Sequence, residues 1–163
     1  MTAQADAQVR TVIYRLHVIA GDAAELAANA GGLIVDRMMS GWRVSVQLLR
    51  DAASGPNRSV QILGAELVDD VQAPILREGE QCVLVMGADS YHRMTSAGQR
   101  FPAGWAEVLV WGESPDPAHI FGHNLSSAAR AFKALAVGGA DLSGEAVAIA
   151  ETFTSFVDSA VRA

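Results

Sequence analysis

The sequence predicts an α/β domain built on a mixed sheet of about four to five strands packed by helices, and three observations carry that expectation. Apolar β-branched segments alternate with stretches of helical periodicity. The segment Cys82-Val83-Leu84-Val85-Met86 is apolar throughout, as in a strand buried on both faces. Two further strand candidates, the second beyond a Gly-Pro turn, are separated by only about ten residues, less than a parallel crossover usually needs, which makes the sheet mixed. The competing class is α+β with an antiparallel sheet. With 163 residues the chain has the size of one domain, so 1–163 is read as a single α/β unit.

The first element, over 9–20, fits a helical stripe through Val9, Val12, Ile13, Leu16 and Ala20, but Thr11-Val12-Ile13-Tyr14 is β-branched and aromatic, which favours a strand. Gly21-Asp22 offers a turn with an N-cap, so a helix begins at Ala23. Leu26, Ala30, Leu33, Ile34 and Met38 form its apolar face and Ser40-Gly41 its stop. Gly31-Gly32 inside that helix costs about 1 kcal/mol per glycine relative to alanine, which points to a close backbone approach or a kink. Segments 42–49 and 60–67 read as an antiparallel hairpin, and Ala106-Glu107-Val108-Leu109-Val110-Trp111 as a strand beside the central 81–86. Cys82, Val83, Val85, Val108 and Val110 are expected in the sheet core. Beyond Pro117 the pattern turns helical. Leu125, Ala129, Phe132 and Ala136 share one face; Ala146, Ile149, Ala150, Phe153, Val157 and Ala160 share another, with Ser143 as N-cap and Phe153 as anchor. A C-terminal helical pair follows.

The net charge of −6 and the absence of a basic cluster leave no source of affinity for a phosphate backbone. No apolar run approaches the roughly 20 residues needed to cross a bilayer, and Met1-Thr2-Ala3-Gln4-Ala5-Asp6 lacks the basic, then apolar, start of a signal peptide. Cys82 is the single cysteine, which fits a reducing cytoplasm and a buried thiol. Abundant alanine, with arginine used almost to the exclusion of lysine, suggests a GC-rich bacterial genome. The expectation is a cytoplasmic protein with neither nucleic acid nor membrane as partner.

Phosphate-loop, dinucleotide, nucleophile-elbow and zinc-protease signatures are all missing, so no cofactor, metal or catalytic residue is assigned from motifs. Several apolar segments instead end beside an acid: Gly21-Asp22, Arg50-Asp51, Gly87-Ala88-Asp89 and Gly112-Glu113. Were those strands parallel, the acids would gather on one sheet edge, where they could hold a cation or a ribose hydroxyl. The competing reading is that each acid caps a helix or closes a turn. His119 and His123 are four apart, a spacing that shares a face on a helix, but Gly122 intervenes and Asn124 looks like the cap of the next helix, with Arg130 and Lys133 on its polar face. Trp42, Trp105 and Trp111 read as packing residues.

Two functional readings follow. The first is a non-catalytic protein that binds itself or another protein through an apolar face. The second is a small-ligand protein or enzyme with an acidic site at the strand ends, formed by Asp89, His92 and Glu113 with Arg130 holding an anionic group. That second reading requires the strands carrying Asp89 and Glu113 to run parallel.

Overall fold

A computed structural model describes residues 12–50, 57–69, 80–98, 104–112, 119–139 and 149–157. One sheet of seven strands runs through them: β1 (Ile13–Ala20), β2 (Arg43–Leu48), β3 (Glu66–Leu67), β4 (Glu80–Gly87), β5 (Glu107–Trp111), β6 (Ile120–Asn124) and β7 (Ala150–Val157). Their order across the sheet is β3-β2-β1-β4-β5-β7-β6. Strands β1 to β5 are parallel and β7 is antiparallel to both neighbours, β5 and β6. The sheet is therefore mixed, as expected, but larger than the four to five strands anticipated.

The antiparallel hairpin of 42–49 with 60–67 does not form. Asn57 caps a short helix α2 (Arg58–Leu63) through a bond from the Val60 N–H, and Gly64 ends it in the left-handed conformation. This helix carries the chain over to β3, which lies parallel to β2. Val60 and Leu63, three apart, are the buried face of that single turn, a spacing a strand would have sent to opposite sides. The C-terminal helical pair is likewise reduced to one helix, α4 (Ser127–Gly139), because the segment around Phe153 is β7. Thr152-Phe153-Thr154-Ser155-Phe156-Val157 is rich in β-branched and aromatic residues, and that preference prevails over the helical stripe that runs through Ile149, Ala150, Phe153 and Val157. Ser143 and the ends of the expected last helix lie outside the described residues.

Helix α1 (Ala23–Met39) starts at the Asp22 cap and stops at Ser40, with Gly41 in the left-handed region. With α2 and α4 it covers one sheet face, against Leu16, Val18, Val46, Val85, Leu109 and Phe153. Helix α3 (Ala88–Ser96) covers the other, where Tyr91 and Met94 pack on Cys82, Leu84, Met86, Val108 and Val110. The five expected core residues are all buried, and burial raises the Cys82 thiol pKa, ahead of the nearby Glu80 charge. No helix among the described residues is long and apolar enough to cross a membrane.

One feature of α1 explains its double glycine. The N–H groups of Gly32 and Leu33 donate to the two carboxylate oxygens of Glu151 at 2.8 and 2.7 Å. Lys133 Nζ bonds both Glu151, at 2.8 Å, and the Ala28 carbonyl, the acceptor one helical turn before Gly32, at 2.9 Å. Lys133 is therefore not on a solvated face with Arg130: its side chain is 3% exposed, and that of Glu151 is 2% exposed. Carboxylate and ammonium are inserted into the helix ladder, and a Cβ on Gly32 would stand 2.3 Å from Leu125, a close approach that only glycine permits.

Candidate functional site at the carboxyl edge of the sheet

Parallel pairing sets Ile19 beside Met86 and Met86 beside Val110. The ends of β1, β4 and β5 therefore reach one edge. From it α1 leaves β1 toward one face of the sheet and α3 leaves β4 toward the other. Neighbouring parallel strands whose crossovers diverge open a crevice between the two helix starts, the usual ligand position in open α/β sheets.

At the β1 side, the Glu25 N–H donates to Asp22 Oδ1 at 2.8 Å and the Gly21 N–H donates to Glu25 Oε2 at 3.1 Å. The helix start is thus closed by its own side chains. Arg50, just past β2, donates from Nη2 to Asp22 Oδ2 at 3.0 Å. Its guanidinium lies over Gly21, where a Cβ would sit 2.4 Å from Nη2. The Glu25 N–H and then Arg50 hold the Asp22 carboxyl below the usual range, so it is ionised at neutral pH.

At the β4 side, Gly87 is the N-cap of α3 and supplies no side-chain cap. Asp89 is exposed in the first turn, and Ser90 beside it is buried. Trp111 pairs with Gly87 across the strands, and a Cβ on Gly87 would come 3.0 Å from the indole Nε1. Gly112 follows in the left-handed region and abuts Ala88. The edge can thus offer carboxylates, a guanidinium, backbone amides and an indole N–H to a small molecule.

The strand direction required for an acidic site is present, and Asp89 and His92 lie on the same helix at that edge. His92 is exposed and meets Tyr91 edge-on at 5.7 Å. Glu113 directly follows Gly112 but lies outside the described residues, as does Asp51. Arg130 is not brought to them: it is exposed on α4, which packs on the opposite sheet face from α3. Arg50 and Trp111 were the residues missed. The sequence places each directly at a strand end, the one signal that could have singled them out.

His119 and His123 do not share a helix face, because His123 lies on β6 and His119 just before it. His123 Nε2 instead meets Asp36 Oδ2 at 2.7 Å, and Asp36 also accepts from the Ser126 hydroxyl and N–H. Ser126, not Asn124, caps α4, through the Ala129 N–H. In this cluster the hydroxyl bonds the carboxylate rather than the imidazole, so no relay from nucleophile to base exists and the group ties α1 to the β6–α4 connection. Among the described residues no three His, Cys, Asp or Glu side chains converge as a metal site.

These groups set a pH dependence. Burial and then the Arg15 charge lower the pKa of His17, whose Nδ1 has no partner and whose ring meets Trp105 edge-on at 5.2 Å. Burial raises the Asp36 carboxyl, but the bonds from Ser126 and His123 outweigh it and the net direction is down. A depressed pKa of either kind means the unfolded chain binds more protons, so stability falls as pH falls. The His17 contribution is lost from its ordinary value of 6.5 downward, and that of Asp36 below 3.8. In urea titrations His17→Leu is expected to flatten the slope of stability between about pH 7 and 5; an unchanged slope would contradict a buried, neutral His17.

No protein-family model matches the sequence, and no curated protein matches it. Solved structures do resemble the fold. A triple mutant of a deacetylase involved in the teicoplanin biosynthetic pathway superposes with a TM-score of 0.54 at 11% identity, covering 89% of this chain and 99% of that one. A deacetylase–teicoplanin complex gives 0.52 at 9% identity over 90% and 99%. The zinc-inhibited form of teicoplanin deacetylase gives 0.51 at 9% over 89% and 99%. At such identities the likeness concerns the fold alone.

Proposed function

We propose that this protein binds a small, uncharged, hydroxyl-bearing molecule at the carboxyl edge between β1 and β4, and that it acts there as an enzyme. The observation that carries the reading is the parallel register that brings Gly21-Asp22, Gly87-Asp89 and Gly112 to one edge while α1 and α3 depart to opposite faces. Carboxylates at Asp22 and Asp89 suit hydroxyl donors and disfavour an anion, since the Arg50 guanidinium is already bonded to Asp22. Strand-end glycines let a ligand approach the backbone. The fold is shared with proteins described as deacetylases, one of them bound to teicoplanin, so hydrolytic removal of an acyl group is the first reaction to assay.

The test is a thermal-shift screen of acetylated sugars and amides, with acetate release measured for each hit. A ligand at a hundred times its dissociation constant adds about 2.7 kcal/mol, or roughly 5–10 °C for a chain of this size. Gly87→Ala is expected to abolish the shift and Arg130→Ala to leave it intact; the reverse pattern would place the site on α4.

A second reading, association with a second copy, is favoured by the opposite edge. There Tyr14 stacks on Trp42 at 4.8 Å and Arg37 lies 5.2 Å from the Trp42 ring, with Ile13 and Met39 exposed nearby in sequence. Such aromatic–arginine groups suit contact surfaces. Light scattering across a concentration series decides it: a mass that stays at one chain excludes this reading.

A further inference from the structure

We infer that the half of the sheet face lying beyond α3, where His17, Ser45, Arg43 and Glu66 stand together on β1, β2 and β3, binds a free amino acid through its carboxylate and ammonium groups. This site is separate from the carboxyl edge and does not rest on it. Parallel register sets Arg15 beside Arg43, His17 beside Ser45, and Ser45 beside Glu66, each pair on one face. Helix α3 packs on β4 and β5, and the apolar cluster beneath it takes only Ile19 from β1 and nothing from β2. Strands with parallel neighbours on both sides are normally apolar on both faces. Strand β2 alternates instead: Val44, Val46 and Leu48 are buried toward α1, and Arg43, Ser45 and Gln47 turn the other way.

One atom on this face lacks what burial demands. His17 Nδ1 is buried without a hydrogen-bond partner, in a ring held edge-on to Trp105 at 5.2 Å. Buried polar atoms are nearly always bonded, and an orphan of this kind calls for a water, an ion or a ligand. Burial lowers the His17 pKa, so at neutral pH the ring is uncharged and one of its nitrogens is an acceptor.

Charge selects the ligand. Arg15 is bridged to Glu80 at 3.5 Å, whereas Arg43 and Glu66 are exposed and neither enters an ion pair among the described residues. Two guanidinium groups side by side on neighbouring strands repel each other, and Glu80 offsets only the first. A simple anion drawn to Arg43 would meet Glu66, and a simple cation drawn to Glu66 would meet Arg43. A zwitterion satisfies both. Its carboxylate takes the paired donors of the Arg43 guanidinium. Its ammonium has three donors for three acceptors: the Glu66 carboxylate, the Ser45 hydroxyl and His17 Nδ1.

The experiment is isothermal titration of the full chain at neutral pH with each of the common amino acids in turn, up to about 10 mM, where weak affinity is still visible. At least one is expected to bind, and its N-acetyl derivative and its amide, which lack one charge each, to bind at least about tenfold more weakly. Arg43→Gln and Glu66→Gln should each weaken binding about tenfold to a hundredfold with the melting temperature unchanged, since both residues are exposed. In the ¹⁵N-labelled chain the His17 Nδ1 resonance, assigned through contacts to the Trp105 ring, should shift and saturate as an acceptor. Binding that survives both substitutions but is lost in Gly87→Ala belongs to the carboxyl edge and overturns the sheet-face site while leaving that edge standing. An N-acetyl derivative that binds as well as the amino acid overturns the zwitterion. No amino acid binding at all, or a protonated Nδ1 in the complex, overturns the inference and leaves the carboxyl-edge reading untouched.

Discussion

Replacing Glu151 by leucine is expected to destabilise the protein by about 3–5 kcal/mol, because breaking a buried ion pair strands the other charge without water or a counter-ion. Lys133 would be left 3% exposed with only the Ala28 carbonyl, and the N–H groups of Gly32 and Leu33 would lose their shared acceptor in the middle of α1. The pair is also a set of helix caps. Glu151 places a negative charge on N–H groups that open the second half of α1, and Lys133 places a positive charge on a carbonyl that closes the first, each favoured by the helix dipole. Lys133→Met alone should be comparably costly, since it strands the carboxylate. The double variant Lys133→Met/Glu151→Leu should recover part of the loss, the remainder reflecting the two amides. A double-mutant cycle in urea measures this directly, and single variants as stable as the unaltered chain would contradict a functional clasp on α1.

Phe153→Ala should cost about 3–5 kcal/mol, a large share of the stability of a typical domain. Phe153 is 1% exposed in the middle of β7, with its ring 6.2 Å from Phe121 on β6 and its face turned to the cluster under α1 and α4. Its removal opens a cavity beneath the point where β7 joins β6 to the parallel strands. A melting temperature unchanged by this substitution would show that β7 is not integral to the sheet.

What could be read from the sequence was whatever depends on near neighbours. The unbroken apolar run at Cys82 to Met86 marked the central strand, Asp22 marked the start of α1, and Gly31-Gly32 marked a close approach that proved to be Leu125 and the inserted Glu151. Strand direction was only conditional, yet it was the feature on which the site depended. The misreadings share a cause: short amphipathic segments fit both periods. Val60 to Leu67 took a helical turn because Asn57 and Gly64 cap it, and Ala150 to Val157 became a strand because its partners on both sides are strands. Lys133 looked like a surface residue because its partner Glu151 is 18 positions away, beyond any local pattern.

The most direct test of the account is a crystal structure of the full chain soaked with N-acetylglucosamine. Ligand density between the starts of α1 and α3, with hydroxyls toward Asp22 or Asp89, is the predicted result. Ligand density only beside Arg130 on α4, or only at the Tyr14–Trp42 edge, would contradict it.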